Sequence, residues 1–187
     1  GLIIHGTTLA TNALIERSGA RTALLTTEGF RDVLEMGTES RFEQYDLGIQ
    51  KPPPLIPRRH RFVVRERVGA DGRVLRPLEA ADLEALVPKL EAAGSESLAI
   101  AFMHSFAHPD HEELAAEVLG RALPGLWLSL SSQVSPEIRE YERFSTTAAN
   151  AYVQPLVAGY LERLRQDLDA AGFAAPLFLM LSSGGVC

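Results

Sequence analysis

Short apolar runs at residues 2–5, 22–26, 98–103, 126–130 and 176–181 alternate with stretches of helical period, and this alternation constrains the fold more than any other feature of the chain. Runs this short suit strands that are buried on both faces. Between them, Leu9, Ala10, Ala13 and Leu14 share one helical face. Leu83, Leu86, Val87 and Leu90 fall at i, i+3, i+4 and i+7, and Leu114, Ala115, Val118, Leu119 and Ala122 repeat the pattern. Helices are therefore predicted over 9–17, 30–36, 79–93, 112–123, 138–151 and 156–171, the last two separated by Pro155. Pro88 should kink or divide its helix, and Gly19 falls where a left-handed cap would close the first one. Strand and helix in turn, with short connections, give an α/β fold: a mixed, largely parallel sheet with flanking helices.

The rhythm breaks over 38–57, where Lys51-Pro52-Pro53-Pro54 excludes regular helix and implies an extended surface segment. Residues 61–68 alternate around Phe62, Val64, Glu66 and Val68, and Asp71-Gly72 then signals a hairpin returning through Val74 and Leu75. With 187 residues the chain can bury a real core, and its net charge of −6 argues against nucleic acid or an anionic membrane as partner. No apolar run approaches the roughly 20 residues of a membrane helix. Cys187 is the single cysteine, so no internal disulfide can form and a reducing, cytoplasmic setting is expected. The first residue stands inside an apolar run and the last follows Ser182-Ser183-Gly184-Gly185, so the sequence reads as a piece of something longer.

In open parallel sheets ligands bind at the carboxyl ends of strands. His5-Gly6-Thr7-Thr8, Thr26-Thr27, His104-Ser105 and Ser182–Gly185 all fall at such ends. The turn at Gly6, Thr7 and Thr8 leads from a strand into a helix N-terminus, where unpaired N–H groups and the helix dipole favour an anion. A simpler role is open to the same residues, since Thr7 or Thr8 could just cap the helix. Ser182-Ser183-Gly184-Gly185 also follows a strand, and its glycines would let backbone approach a phosphate. Neither common nucleotide-binding glycine motif occurs, and Cys187 lacks the flanking signature of a nucleophile. His104, His108 and His111 look like a metal cluster, but Pro109 interrupts the helix that would align them. His108 instead suits an N-cap before Pro109, with Asp110, Glu112 and Glu113 in the first turn, and no metal site is assigned. Glu137, Glu140 and Glu142 could serve as metal or base carboxylates, yet they read better as the solvated start of a helix, with Tyr141, Thr147 and Asn150 the members to watch.

The block HGTTLATNALIERSGARTALLTTEGFRDVLEMG resembles the ATP-dependent hydantoinase A / 5-oxoprolinase family. The likeness continues through KPPPLIPRRHRFVVRERVGADGRVLRPL, AIAFMHSFAHPDHE, SSQVSPEIREYERFSTTAANAYVQPLVAGYLERL and LMLSSGGV, in order and over nearly the whole chain. The resemblance implies an actin-like fold of ribonuclease-H-like ATPase lobes. It implies ATP with Mg²⁺ in the full-length parent, and a small cyclic amide (5-oxoproline, hydantoin or N-methylhydantoin) whose ring is opened after phosphorylation of its carbonyl oxygen. It also implies a hydantoinase B-type partner subunit or domain. Related members serve acetone- and acetophenone-type carboxylases, and a non-catalytic lobe that docks partner subunits is a third reading. Mapped onto the family, residues 1–135 form the back part of the N-terminal region and 136–187 the start of the central region. The family's phosphate-binding segments are expected upstream of HGTT and downstream of SSGGV. The resemblance places Gly6, Thr7, Thr8 and Asn12 on one wall of the nucleotide or substrate cleft, with Ser183, Gly184 and Gly185 on the opposite wall. It identifies no catalytic residue.

Overall fold

The computed structural model describes residues 1–38, 45–46, 48–173, 175–180 and 185. Two compact units emerge: one made of Gly1–Gly19 with Val153–Cys187, the other of Ala20–Tyr152.

The larger unit is built on four parallel strands: β2 (Thr22–Thr27), β3 (Arg61–Val64), β6 (Ser97–Ala101) and β7 (Trp127–Leu130). Their spatial order is β3-β2-β6-β7, so the chain winds first to one side of β2 and then to the other. Alternate residues of the central strands face opposite layers. Ala23, Leu25, Leu98 and Ile100 pack on Leu83, Leu86, Leu90, Ala115 and Leu119. These come from α3 (Ala80–Glu84), α4 (Val87–Ala92) and α5 (Asp110–Ala122), together with the link between the first two. On the other face Leu24, Ala99 and Ala101 meet Val33 and Leu34 of α2 (Val33–Met36) and Phe144, Ala148 and Ala151 of α7 (Glu140–Ala170). A sheet buried on both sides by helices is what its continuous apolar strands require. A short antiparallel hairpin of β4 (Arg67–Val68) and β5 (Val74–Arg76) turns at Gly72, whose φ of 79° needs a residue without Cβ.

The smaller unit holds β1 (Ile3–His5) and β8 (Leu177–Leu179), paired in parallel with Ile3 opposite Leu177 and His5 opposite Leu179, together with α1 (Leu9–Glu16). Of its described apolar side chains, Ala13 alone is fully buried. An open groove of about 740 Å³ runs beside β8, lined by Leu161, Leu168, Phe173 and Leu177 with Arg165 and Asp169 among them.

The α/β class, the mixed and largely parallel pairing and the flanking helices match expectation. One local expectation holds and three change. Pro88 does divide the predicted helix, taking the first turn of α4, where a missing N–H costs nothing. Pro155 does not: α7 runs unbroken from Glu140 to Ala170, because turns on both sides keep their hydrogen bonds and only one is lost. The left-handed cap of α1 falls on Arg17 at φ 57°, not on Gly19. Pro109, not His108, caps α5, and the short helix α6 (Ser131–Val134) was not anticipated. Among the described residues no helix is long and apolar enough to cross a membrane.

Candidate functional site

In the smaller unit β1 and β8 end side by side. The N–H of Met180 donates to the carbonyl of His5 at 2.9 Å, extending the parallel ladder past both strands. A Cβ on Gly6 would stand 3.9 Å from that of Met180. The strands that lead into the two glycine- and hydroxyl-rich blocks are thus neighbours with their carboxyl ends together. Ser183 and Gly184 lie outside the described residues, and Gly185 is exposed.

The Gly6-Thr7-Thr8 turn is exposed and only lightly tied. Thr7 Oγ1 accepts the N–H of Leu9 at 3.1 Å, a local hydroxyl turn. Thr8 occupies the N-cap position of α1, but its hydroxyl makes no capping bond. Its carbonyl accepts the N–H of Asn12 at 2.9 Å, and Asn12 itself is exposed one turn further on. The simple capping role therefore falls to Thr7 in part, and the Thr8 hydroxyl is not used for it. His5, one residue ahead of the turn, has its Nε2 at 2.9 Å from the Tyr160 hydroxyl, with the rings 5.6 Å apart. Sequence reading did not single out Tyr160, which looks like any half-buried helical aromatic.

The carboxyl end of the larger unit's sheet carries two buried carboxylates. Glu112 on α5 is fully buried. It accepts the Phe102 N–H at 2.9 Å, the Ser131 hydroxyl at 2.7 Å, and the Ser132 N–H and hydroxyl at 2.9 and 2.8 Å. Arg143, also fully buried, donates to the Ser131 hydroxyl at 3.1 Å, to the Phe102 carbonyl at 3.0 Å and to the Glu137 carbonyl at 2.6 Å. Burial lowers the Arg143 pKa, and the charges of Glu112 and Glu140 oppose that shift. Phe102, just past β6, is clamped at its N–H by Glu112 and at its carbonyl by Arg143 and Ser105.

The second carboxylate, Glu66, reaches the crevice between β2 and β6, where the winding direction reverses. Its oxygens take the Thr27 hydroxyl and His111 Nδ1, the latter at 2.7 Å, while Thr27 Oγ1 accepts the Met103 N–H at 3.0 Å. His104, held in a left-handed conformation at φ 59°, has Nδ1 2.8 Å from the Val68 carbonyl. The His108 ring lies against Gly72. The three histidines of the HSFAHPDH run therefore grip successive points of one segment, Glu66, Val68 and Gly72. Among the described residues no three acidic, histidine or cysteine groups are arranged to hold a metal ion. Tyr141 packs on Gly37, Thr147 donates to the Arg143 carbonyl and Asn150 to the Ser129 hydroxyl, so the three members to watch are occupied within the core and its edge.

A doubly wound parallel sheet with helices on both faces, accompanied by a strand–turn–helix unit with an open hydroxyl-rich turn, defines an α/β protein. Its affiliation is more specific. Residues 1–123 match the hydantoinase/oxoprolinase N-terminal region and residues 143–187 the hydantoinase/oxoprolinase region that follows, and the chain belongs to this family. An uncharacterized protein of Methanocaldococcus jannaschii is 39% identical over 99% of this chain and 28% of its own length. The alpha subunit of caprolactamase from Pseudomonas jessenii is 35% identical over 99% of this chain and 27% of its own. The 5-oxoprolinase of Saccharomyces cerevisiae is 32% identical over 97% of this chain and 16% of its own. The crystal structure of the ATP-dependent caprolactamase from Pseudomonas jessenii superposes with a TM-score of 0.91 at 35% identity, covering 99% of this chain and 27% of that one. Nucleotide-free acetone carboxylase shares the fold at a TM-score of 0.86 and 22% identity, over 98% of this chain and 28% of that one. The chain thus spans less than a third of the length of these relatives.

Proposed function

We propose that this chain is part of an ATP-dependent cyclic-amide hydrolase subunit that opens a lactam or imide ring such as 5-oxoproline, hydantoin or N-methylhydantoin. ATP would supply a phosphoryl group to the ring carbonyl oxygen and so turn a poor leaving group into a good one. The observation that carries the reading is the open turn at the paired carboxyl ends of β1 and β8. Gly6 lets backbone approach closely, and the Thr8 hydroxyl is not spent on capping. In this reading Gly6, Thr7, Thr8 and Asn12 face the nucleotide phosphates, and Ser183, Gly184 and Gly185 line the opposite wall of the cleft. Such a site works by positioning and charge neutralisation. The first turn of α1 contains no acidic residue, so Mg²⁺ would arrive with the nucleotide rather than be held at this turn. The full enzyme would need the phosphate-binding segments that flank this region, would act with a hydantoinase B-type partner subunit or domain, and would work in the cytoplasm. Residues 1–135 and 136–187 then belong to successive regions of that longer polypeptide.

The alternative within the family is the ATP-using subunit of an acetone- or acetophenone-type carboxylase. It is favoured by the gamma subunit of acetophenone carboxylase from Aromatoleum aromaticum, 30% identical over 98% of this chain and 27% of its own length. Phosphate release by the full-length protein with its partner subunit, measured across 5-oxoproline, hydantoins, lactams and ketones with bicarbonate, tests the assignment. Stimulation by one cyclic amide is expected. Stimulation by a ketone with bicarbonate alone would transfer the assignment to the carboxylase reading. No stimulation by any substrate would leave a lobe that docks partners.

A further inference from the structure

We infer that Tyr160 is a positioning residue for the Gly6-Thr7-Thr8 turn, acting through His5; the functional part of this inference rests on the reading proposed above. His5 is the last residue of β1 and is held at two points. Its carbonyl accepts the Met180 N–H at 2.9 Å, and its Nε2 lies 2.9 Å from the Tyr160 hydroxyl on α7. The ring contact adds a second restraint on the same side chain. Downstream, the turn has little of its own. Gly6, Thr7 and Thr8 are all exposed, Thr8 makes no side-chain cap, and among the described residues the Thr7 hydroxyl bonds to Leu9 within the same turn. The orientation in which this turn leaves the sheet is therefore set at His5. A hydroxyl that fixes the His5 ring from a helix far away in sequence converts a flexible exit into a defined one. A preorganised turn binds an anion without first losing conformational freedom, so the lock contributes to affinity rather than to the chemical step.

Two measurements test this, one for the lock and one for its use. In the 187-residue chain, Tyr160→Phe should speed amide hydrogen exchange at Leu9 and Met180, whose N–H groups are bonded to the Thr7 hydroxyl and the His5 carbonyl, by about five- to tenfold, the equivalent of one net hydrogen bond, while β2 and β6 stay protected. Unchanged exchange there overturns the inference whatever the protein's activity. In the full-length enzyme with its partner, Tyr160→Phe should raise the KM for ATP about five- to tenfold and leave kcat within twofold. His5→Gln, which keeps a hydrogen-bonding partner for the tyrosine, should recover most of the affinity lost in His5→Ala. The double variant His5→Ala/Tyr160→Phe should be no worse than His5→Ala alone. A fall in kcat at constant KM, or additive losses in the double variant, would overturn the positioning role. Faster exchange combined with a wild-type enzyme that shows no nucleotide-dependent activity would leave the lock standing and remove the functional reading instead.

Discussion

Replacing Glu112 with glutamine tests how the carboxyl end of the larger unit's sheet is held. The carboxylate accepts four hydrogen bonds, two from backbone N–H groups and two from serine hydroxyls, and it is fully buried. A carboxamide keeps the shape but offers one oxygen in place of two. Its NH₂ group must then face two of the four donors. Serine hydroxyls can rotate away, whereas the N–H groups of Phe102 and Ser132 cannot. One buried backbone donor left without an acceptor costs about 1–3 kcal/mol, and the fully buried Arg143 loses the carboxylate that offsets its burial. Together these give a loss of about 3 kcal/mol, less than the several kcal/mol expected for outright removal of one member of a buried pair. Trp127, the single tryptophan, lies on β7 of the same sheet and reports its unfolding by fluorescence. At a urea dependence of about 2 kcal/mol per molar, the midpoint should fall by about 1.5 M. A shift below about 0.3 M would refute the argument, because it would mean that the four bonds do not depend on both carboxylate oxygens. The pair Glu112→Gln/Arg143→Met supplies the control: if the charges offset each other, the double variant loses less than the sum of the singles.

Thr27→Val keeps the side-chain shape but removes the hydroxyl between Met103 and Glu66; a loss of about 2–3 kcal/mol in urea unfolding is expected. Gly72→Ala forces a Cβ to within 2.5 Å of His108 Cε1 at a positive φ, so thermal unfolding should show a loss of at least about 1–2 kcal/mol. His60 has its pKa held below the ordinary 6.5, first by burial and then by Arg59 and Arg21. The folded state therefore takes up this proton less readily than the unfolded chain, and stability falls as pH drops below about 6.5. His60→Gln should flatten that part of the profile, seen as a smaller change in urea midpoint between about pH 7 and 5.

The strands and most helices were legible because apolar spacing records burial directly. Thr22–Thr27 and Ser97–Ala101 are buried at every position, as continuous apolar runs between turns suggest. The turn at Gly6 was legible as a strand-to-helix connection, because glycine and hydroxyls there interrupt the apolar run before the helical period begins. The burial of Glu112 was not read, since acids in the first turn of a helix are ordinary solvated residues that complement the dipole. A signal was present all the same. Glu112, Ala115 and Leu119 stand at i, i+3 and i+7 and are all buried, so the acid lies in the apolar stripe. Arg143 likewise belongs to the stripe of Thr147, Ala148, Ala151 and Tyr152. A charge placed inside an apolar stripe is better read as a buried tie than as surface. The contacts of Glu66 with His111 and of Tyr160 with His5 join residues far apart in the chain, and no local pattern encodes them.

The β1–β8 ribbon has a consequence for how the molecule behaves in solution. Among the described residues it is two strands wide with no third strand on either edge, and it sits in a unit where Leu2, Ile4, Ile15, Phe173 and Met180 are all exposed. Open strand edges and exposed apolar side chains are what make proteins adhere to one another. A solution of these 187 residues alone should therefore be colloidally poor, with scattering that rises with concentration and with added sulfate, which strengthens apolar association. The net charge of −6 opposes this only at low ionic strength.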